Sequence, residues 1–329
     1  MKRTEFKKKI AKFSFLTALL LGLSFFVILQ AANSAYPDRA ITLVVPYSPG
    51  GGLDLAARAL ADSMEKHLKQ PVVVLNKPGG ATTIGGNTVV TAKPDGYTLG
   101  YFPTPTVIPE VFSYFYEAPY SSKDLKPICR LTEPVLTITV KEGTFNTLKE
   151  FIEFARKNPG LKMGTHGKSG LGYIAMATIA KAEKIKFTDV PFAGDSAIVP
   201  AILGDHITVG TPGFAAIRSL VEAKKLKPLA LCLEKRVDFA PEIPTVVDLG
   251  YKLGFVSCHG FFGPKDLSDD VVRMIDELAR KIAEEKDFQT KIRNTSQIIN
   301  YEDTASFRKS IEKYKEDLKV FFKEEGFVK

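Results

Sequence analysis

Short runs rich in Val and Ile alternate with helical patterns along most of this chain, and that rhythm restricts the fold more than any other feature. "AITLVVPY" precedes "DLAARALADSMEKHL", and "PVVVLN", "TIGGNTVVTA" and "YTLGYF" follow. After Pro134 the design repeats, with "VLTITV", "TLKEFIEFARKN", "LKMGTHG", "YIAMATIAKAEK", "FTDVPF", "SAIVPAILGD", "HITVGTP", "AIRSLVEAKK" and "LKPLALCL". Strands interleaved with helices predict parallel α/β architecture. The chain then turns helical: Ser268 reads as the N-cap of a helix with acids in its first turn, and "DTASFRKSIEKYKEDLKVFFKEEG" ends it. Both charged segments read as solvated faces of helices packed back on the first half.

The N-terminus carries a different signal. Residues 1 to 35 run from a basic segment through an apolar stretch, Phe13 to Leu29, to small residues ending at Ala35. This order predicts a signal peptide cleaved before Tyr36, with an uncleaved anchor as the alternative. Cleavage leaves 294 of the 329 residues, enough for two lobes with separate cores. It also removes six basic residues and one acidic one, so the formal charge falls from +8 to +3. The remaining charge is mixed along the chain, which argues against a nucleic-acid partner. Cys129, Cys232 and Cys258 are widely spaced in or beside apolar segments and read as buried thiols, although one oxidised pair stays open. No two of the four histidines have metal-ligand spacing, so no metal is expected.

Three loops carry the candidate chemistry. In "PYSPGGGLD", Tyr47, Ser48, Gly50 and Gly51 lie between a strand and a helix whose first turn holds Asp54. Glycine allows close backbone approach, and free N–H groups at a helix start attract anions. Asp54 reads equally as a structural cap. "NKPGGATTIGG" repeats the device and adds Thr82, and two such loops converge at the carboxyl edge of a sheet, where α/β proteins bind ligands. In "MGTHGKSGLGY", Gly167, Lys168 and Ser169 imitate a phosphate-binding loop, yet Lys162 stands where that motif needs glycine. Leu171 likewise breaks a nucleophile elbow. What remains is a loop of Thr165, His166, Gly167, Lys168 and Ser169 before a helix, followed by Tyr173, with His166 and Lys168 able to meet a carboxylate. Asp195 and Ser196 open a further helix, where an N-cap is the simpler role, and Phe192 and Phe214 are cleft-wall candidates.

"YPDRAITLVVPYSPGGGLDLAARAL", "QPVVVLNKPGGATTIGG", "KPDGYTLGY", "VPFAGDSAIVPAILGDHITV" and "PEIPTVVDLGY", in this order, resemble the tripartite tricarboxylate transporter substrate-binding proteins, the Bug receptor family. The resemblance implies a type II-like periplasmic binding protein fold with two crossover strands and a ligand cleft between the lobes. It implies lobe 1 from residues 36–138 and 255–329, lobe 2 from 139–254, and hinges near Thr137 and Phe255. It further implies a periplasmic receptor, monomeric and without cofactor or catalysis, that delivers a small carboxylate to permease subunits. Residues Tyr47 to Asp54 and Thr165 to Tyr173 would hold the carboxylate. Two departures bear on specificity: Ala81 and Thr82 stand where the family is glycine-richer, and Tyr173 where it carries a histidine. His166 and Lys168 are atypical too, and would favour a more anionic solute. Presentation of the ligand to a membrane sensor would use the same site, and an extracytoplasmic hydrolase is the remaining alternative.

Overall fold

The computed structural model describes residues 36–253, 257–324 and 326. The expected signal segment, residues 1 to 35, and the expected hinge position Phe255 lie outside the described residues. Ala40–Lys329 form one compact unit containing two sheets.

The first sheet begins with β1 (Ile41–Val45), β2 (Val72–Asn76) and β3 (Thr98–Pro103), which run parallel. α1 (Gly52–Leu68) joins β1 to β2, and α2 (Thr83–Val90) joins β2 to β3. α1 is a helix because Leu53, Ala56, Ala57, Leu60, Ala61 and Met64 repeat at helical spacing and make one buried stripe. A short helix, α3 (Thr104–Val107), precedes the long β4 (Leu125–Pro134), which leads out of this sheet.

The second sheet contains β5 (Thr137–Lys141), β6 (Leu161–Thr165), β7 (Phe187–Pro191), β8 (Val209–Gly210) and β9 (Leu226–Leu231), in the order β7-β6-β8-β5-β9. Its helices are α4 (Leu148–Lys157), α5 (Leu171–Glu183), α6 (Asp195–Leu203) and α7 (Phe214–Glu222). The chain returns through β10 (His259–Pro264), then α8 (Asp269–Glu284), α9 (Lys286–Asn294), β11 (Gln297–Glu302) and α10 (Thr304–Glu324). The first sheet therefore reads β11-β4-β10-β3-β1-β2. The charged C-terminal helices pack on this first lobe, as their amphipathic pattern predicts, with α8 and α10 against β4 and α9 against α1. Ser268 caps α8, its hydroxyl accepting from Val271 N.

The sheets are mixed, which corrects the parallel reading. β10 runs antiparallel to both β3 and β4, and β5 runs antiparallel to β8 and β9. Periodicity reports burial and not direction, and strands that carry the chain into and out of a sheet insert against the βαβ grain. The three cysteines are free and buried.

Candidate functional site

Two compartments lie between the lobes, and the rings of Tyr47 and His166, 5.5 Å apart edge to face, form part of the wall of both. The inner compartment is small, about 60 Å³, and the outer one is about 490 Å³. The lobes touch beside them: Ser48 N donates to Ala193 O at 3.3 Å, and Gly52 N donates to Asp195 Oδ2 at 3.4 Å.

The β1–α1 loop is shaped by Asp54. This carboxylate is buried at 2 % exposure and accepts from Gly50 N (2.9 Å), Asn76 Nδ2 (2.9 Å) and both Nε and Nη2 of Arg58 (3.0 and 2.9 Å). Burial pushes its pKa up, but the hydrogen bonds from Arg58, Gly50 and Asn76 together outweigh burial and hold it below the usual value. Gly50 has φ +89°, a conformation that a side chain would strain. Asp54 and Gly50 thus brace the loop, and neither lines a compartment; Gly51, the N-cap of α1, lines the inner one.

The β6–α5 loop divides in the same way. Thr165 Oγ1 donates to Asp189 Oδ1 at 2.7 Å and accepts from Gly167 N at 3.0 Å, so it sets the loop from behind. Gly167 (φ +94°) and the exposed Lys168 line the outer compartment, and His166 lines both. Ser169 is buried and lines neither compartment, and Tyr173 packs edge-on to Phe115. Phe192 lines the outer compartment and Phe214 the inner one, while Ser196 is exposed away from both.

Asp195 does more than a cap would. Gly194 is the N-cap of α6. The Asp195 carboxylate, 6 % exposed, instead meets His166 Nε2 at 2.9 Å, Gly213 N at 3.0 Å and, across the cleft, Gly52 N. Burial raises its pKa, but the facing His166 and the two backbone donors outweigh burial and leave it lowered. The nearby Tyr47 phenol is pushed far up, first by burial and then by the Asp195 charge.

Several lining residues escaped sequence reasoning. Gly213 starts α7 at the inner compartment, and Ser257, His259, Ser296 and Gln297 reach it from the C-terminal third of the chain. Asp189 and Tyr116 line the outer compartment. Only the "TPGFAAIRSL" stretch carried a usable signal, a glycine before a helical pattern like those in the other loops. Thr82 is brought to the outer compartment at the end of four consecutive residues with positive φ, Gly79 to Thr82. Among the described residues, no group of three or more His, Cys, Asp or Glu could hold a metal, and no helix is long and apolar enough to cross a membrane.

Two α/β lobes with a cavity between them are the architecture of a solute-binding protein. Residues 56–325 match the family model described as the tripartite tricarboxylate transporter family receptor, and the chain belongs to that family. It is 32% identical over 263 residues to the UPF0065 protein in the gbd 5' region of Cupriavidus necator, covering 77% of each chain. The periplasmic binding protein BugD superposes with a TM-score of 0.79 at 25% identity, over 88% of this chain and 99% of that one. MatC from Rhodopseudomonas palustris with bound malate shares the fold, with a TM-score of 0.78 at 20% identity, over 87% of this chain and 99% of that one.

Proposed function

We infer that the protein is a periplasmic receptor that captures a small carboxylate between its lobes and delivers it to the membrane subunits of a tripartite tricarboxylate transporter. The observation that carries this reading is the convergence of four helix N-termini on the inner compartment. Gly51 of α1, Gly170 of α5, Gly194 of α6 and Gly213 of α7 are N-caps, and all four line it. The positive ends of four helix dipoles meeting at one space favour an anion. Family membership supports the receptor role, and the malate held by MatC makes organic acids the first probes. In this reading residues 1 to 35 direct export. Binding is coupled to lobe closure about the crossovers near Thr137 and Phe255, because a solute touching both lobes gains its full contact energy only when they approach.

The test is to denature purified protein, identify any released acid by mass spectrometry, and measure its rebinding by calorimetry. Gly51→Val should lower affinity about a hundredfold with circular dichroism unchanged, because a β-carbon at Gly51 already stands 3.3 Å from Asp195 Oδ2 and a branched side chain blocks backbone approach. Failure of every mono-, di- and tricarboxylate to raise the melting temperature, with no retained acid, would refute the receptor reading.

A further inference from the structure

The helix N-termini of the inner compartment already hold a carboxylate, and it belongs to the protein. Asp195 comes from the second lobe, is almost fully buried, and is held by Gly213 N, His166 Nε2 and, from the first lobe, Gly52 N. The fit is close on both sides, since a β-carbon added at Gly51 or Gly213 would stand 3.3 or 3.0 Å from Asp195 Oδ2. The two glycines leave room for this one anionic oxygen.

The charge of the cleft follows. A helix N-terminus is equivalent to about half a positive charge, so four amount to about two. Asp195 neutralises one of these. In the outer compartment Lys168 is the one Lys or Arg side chain among the described lining residues, and it shares that wall with Asp189, whose carboxyl is pushed up by burial against a hydrogen bond from Thr165 and the Lys168 charge. Those two groups offset each other. With a neutral imidazole at His166, what the cleft offers a solute is therefore about one net positive charge. A second or third carboxylate would be desolvated with no counter-charge, and burial of an unpaired ion is strongly unfavourable.

Two side chains independently point to an occupant. Ser296, which lines the inner compartment, and Thr82, which lines the outer one, are only 1 % and 4 % exposed, and neither hydroxyl has a hydrogen-bond partner. Buried hydroxyls are nearly always paired, so each calls for a polar atom on what the cleft receives.

We propose that Asp195 is a charge filter: it fills one anion position with the chain's own carboxylate, so the cleft takes singly charged monocarboxylates reaching from Thr82 to Ser296 and rejects di- and tricarboxylates. The proposal rests on the receptor reading and reverses the expectation that His166 and Lys168 favour a more anionic solute. His166 is committed to Asp195, and the charge of the exposed Lys168 is offset by Asp189 on the same wall.

The experiment compares matched acids by thermal shift and calorimetry at pH 8.0, above the ordinary histidine range. The probes are butyrate, succinate and tricarballylate, and 3-hydroxybutyrate, malate and citrate, which carry one, two and three carboxyl groups in each series. Wild-type protein should bind the better monocarboxylate at least about tenfold tighter than its dicarboxylate partner, and the tricarboxylates more weakly still, since one unmatched buried charge is worth at least that factor. Asp195→Asn keeps the shape and removes the charge, and should narrow the preference by about tenfold. Thr82→Val, nearly isosteric, should weaken the monocarboxylate several-fold. Wild-type preference for a di- or tricarboxylate in either series would overturn the filter and leave the receptor intact, whether or not the variants fold. The filter is equally overturned if Asp195→Asn retains the native melting profile and the wild-type ranking. If wild-type protein binds none of the six probes and releases no acid on denaturation, the receptor reading falls and the filter with it.

Discussion

Replacing Asp54 separates a residue that shapes the site from one that touches the solute. Its carboxylate accepts four hydrogen bonds: one from the backbone of Gly50, one from Asn76 and two from Arg58. Arg58 is 49% exposed, so its ion pair is screened and adds less than about 1 kcal/mol. The other two bonds matter more. Hydrogen bonds to a charged acceptor contribute about 1.5–3 kcal/mol each, and Asp54→Ala removes the acceptor of both, while Asn76 Nδ2 keeps Tyr47 O and the exposed Gly50 N turns to water, so the loss should be about 2–3 kcal/mol. Asp54→Asn keeps an acceptor and should lose about half as much, and Arg58→Ala should lose less than about 1 kcal/mol. Denaturant unfolding followed by circular dichroism reads all three, with the midpoint moving and the slope constant. The affinity for the solute should fall only where stability falls. An Asp54→Asn protein with wild-type stability and greatly reduced affinity would refute this account and place the carboxylate on the solute.

Two further predictions concern groups beneath the site. His259 is buried and its pKa is lowered from 6.5 to about 4, chiefly by burial and also by the Arg130 charge, against a hydrogen bond to Gln297. The neutral ring is the folded form, so its contribution is complete above about pH 6.5 and is lost as pH falls toward 4, a change of about 3 kcal/mol. His259→Gln should remove that part of the acid sensitivity in unfolding midpoints measured from pH 7 to 4, and an unchanged pH profile would contradict the assignment. The thiols of Cys129, Cys232 and Cys258 are all raised by burial, Cys232 to about 12, so the native protein should not react with a thiol-specific disulfide reagent at pH 8. Denatured protein should then titrate three thiols, and reaction in the native state would show that one is accessible.

Periodicity and glycine placement are enough to locate most of the strands and helices and three of the loops that meet at the cleft, because both depend on residues near in sequence, but they miss β4 and β11. Leu53 to Met64 reads as a buried stripe, and glycines before Leu53 and Leu171 read as helix starts, before any coordinates exist. The direction of β10, the α7 N-terminus and the residues Ser257, His259, Ser296 and Gln297 were out of reach. They come to the site largely through sheet pairing between segments about 160 to 170 residues apart, which leaves no local pattern. Asp195 shows the division most sharply. A carboxylate in a first helical turn is worth much the same whether it caps its own helix or serves another. Only the approach of the lobes, which brings Gly52 N to the carboxylate that Gly213 N already meets, decides that this one spans the cleft.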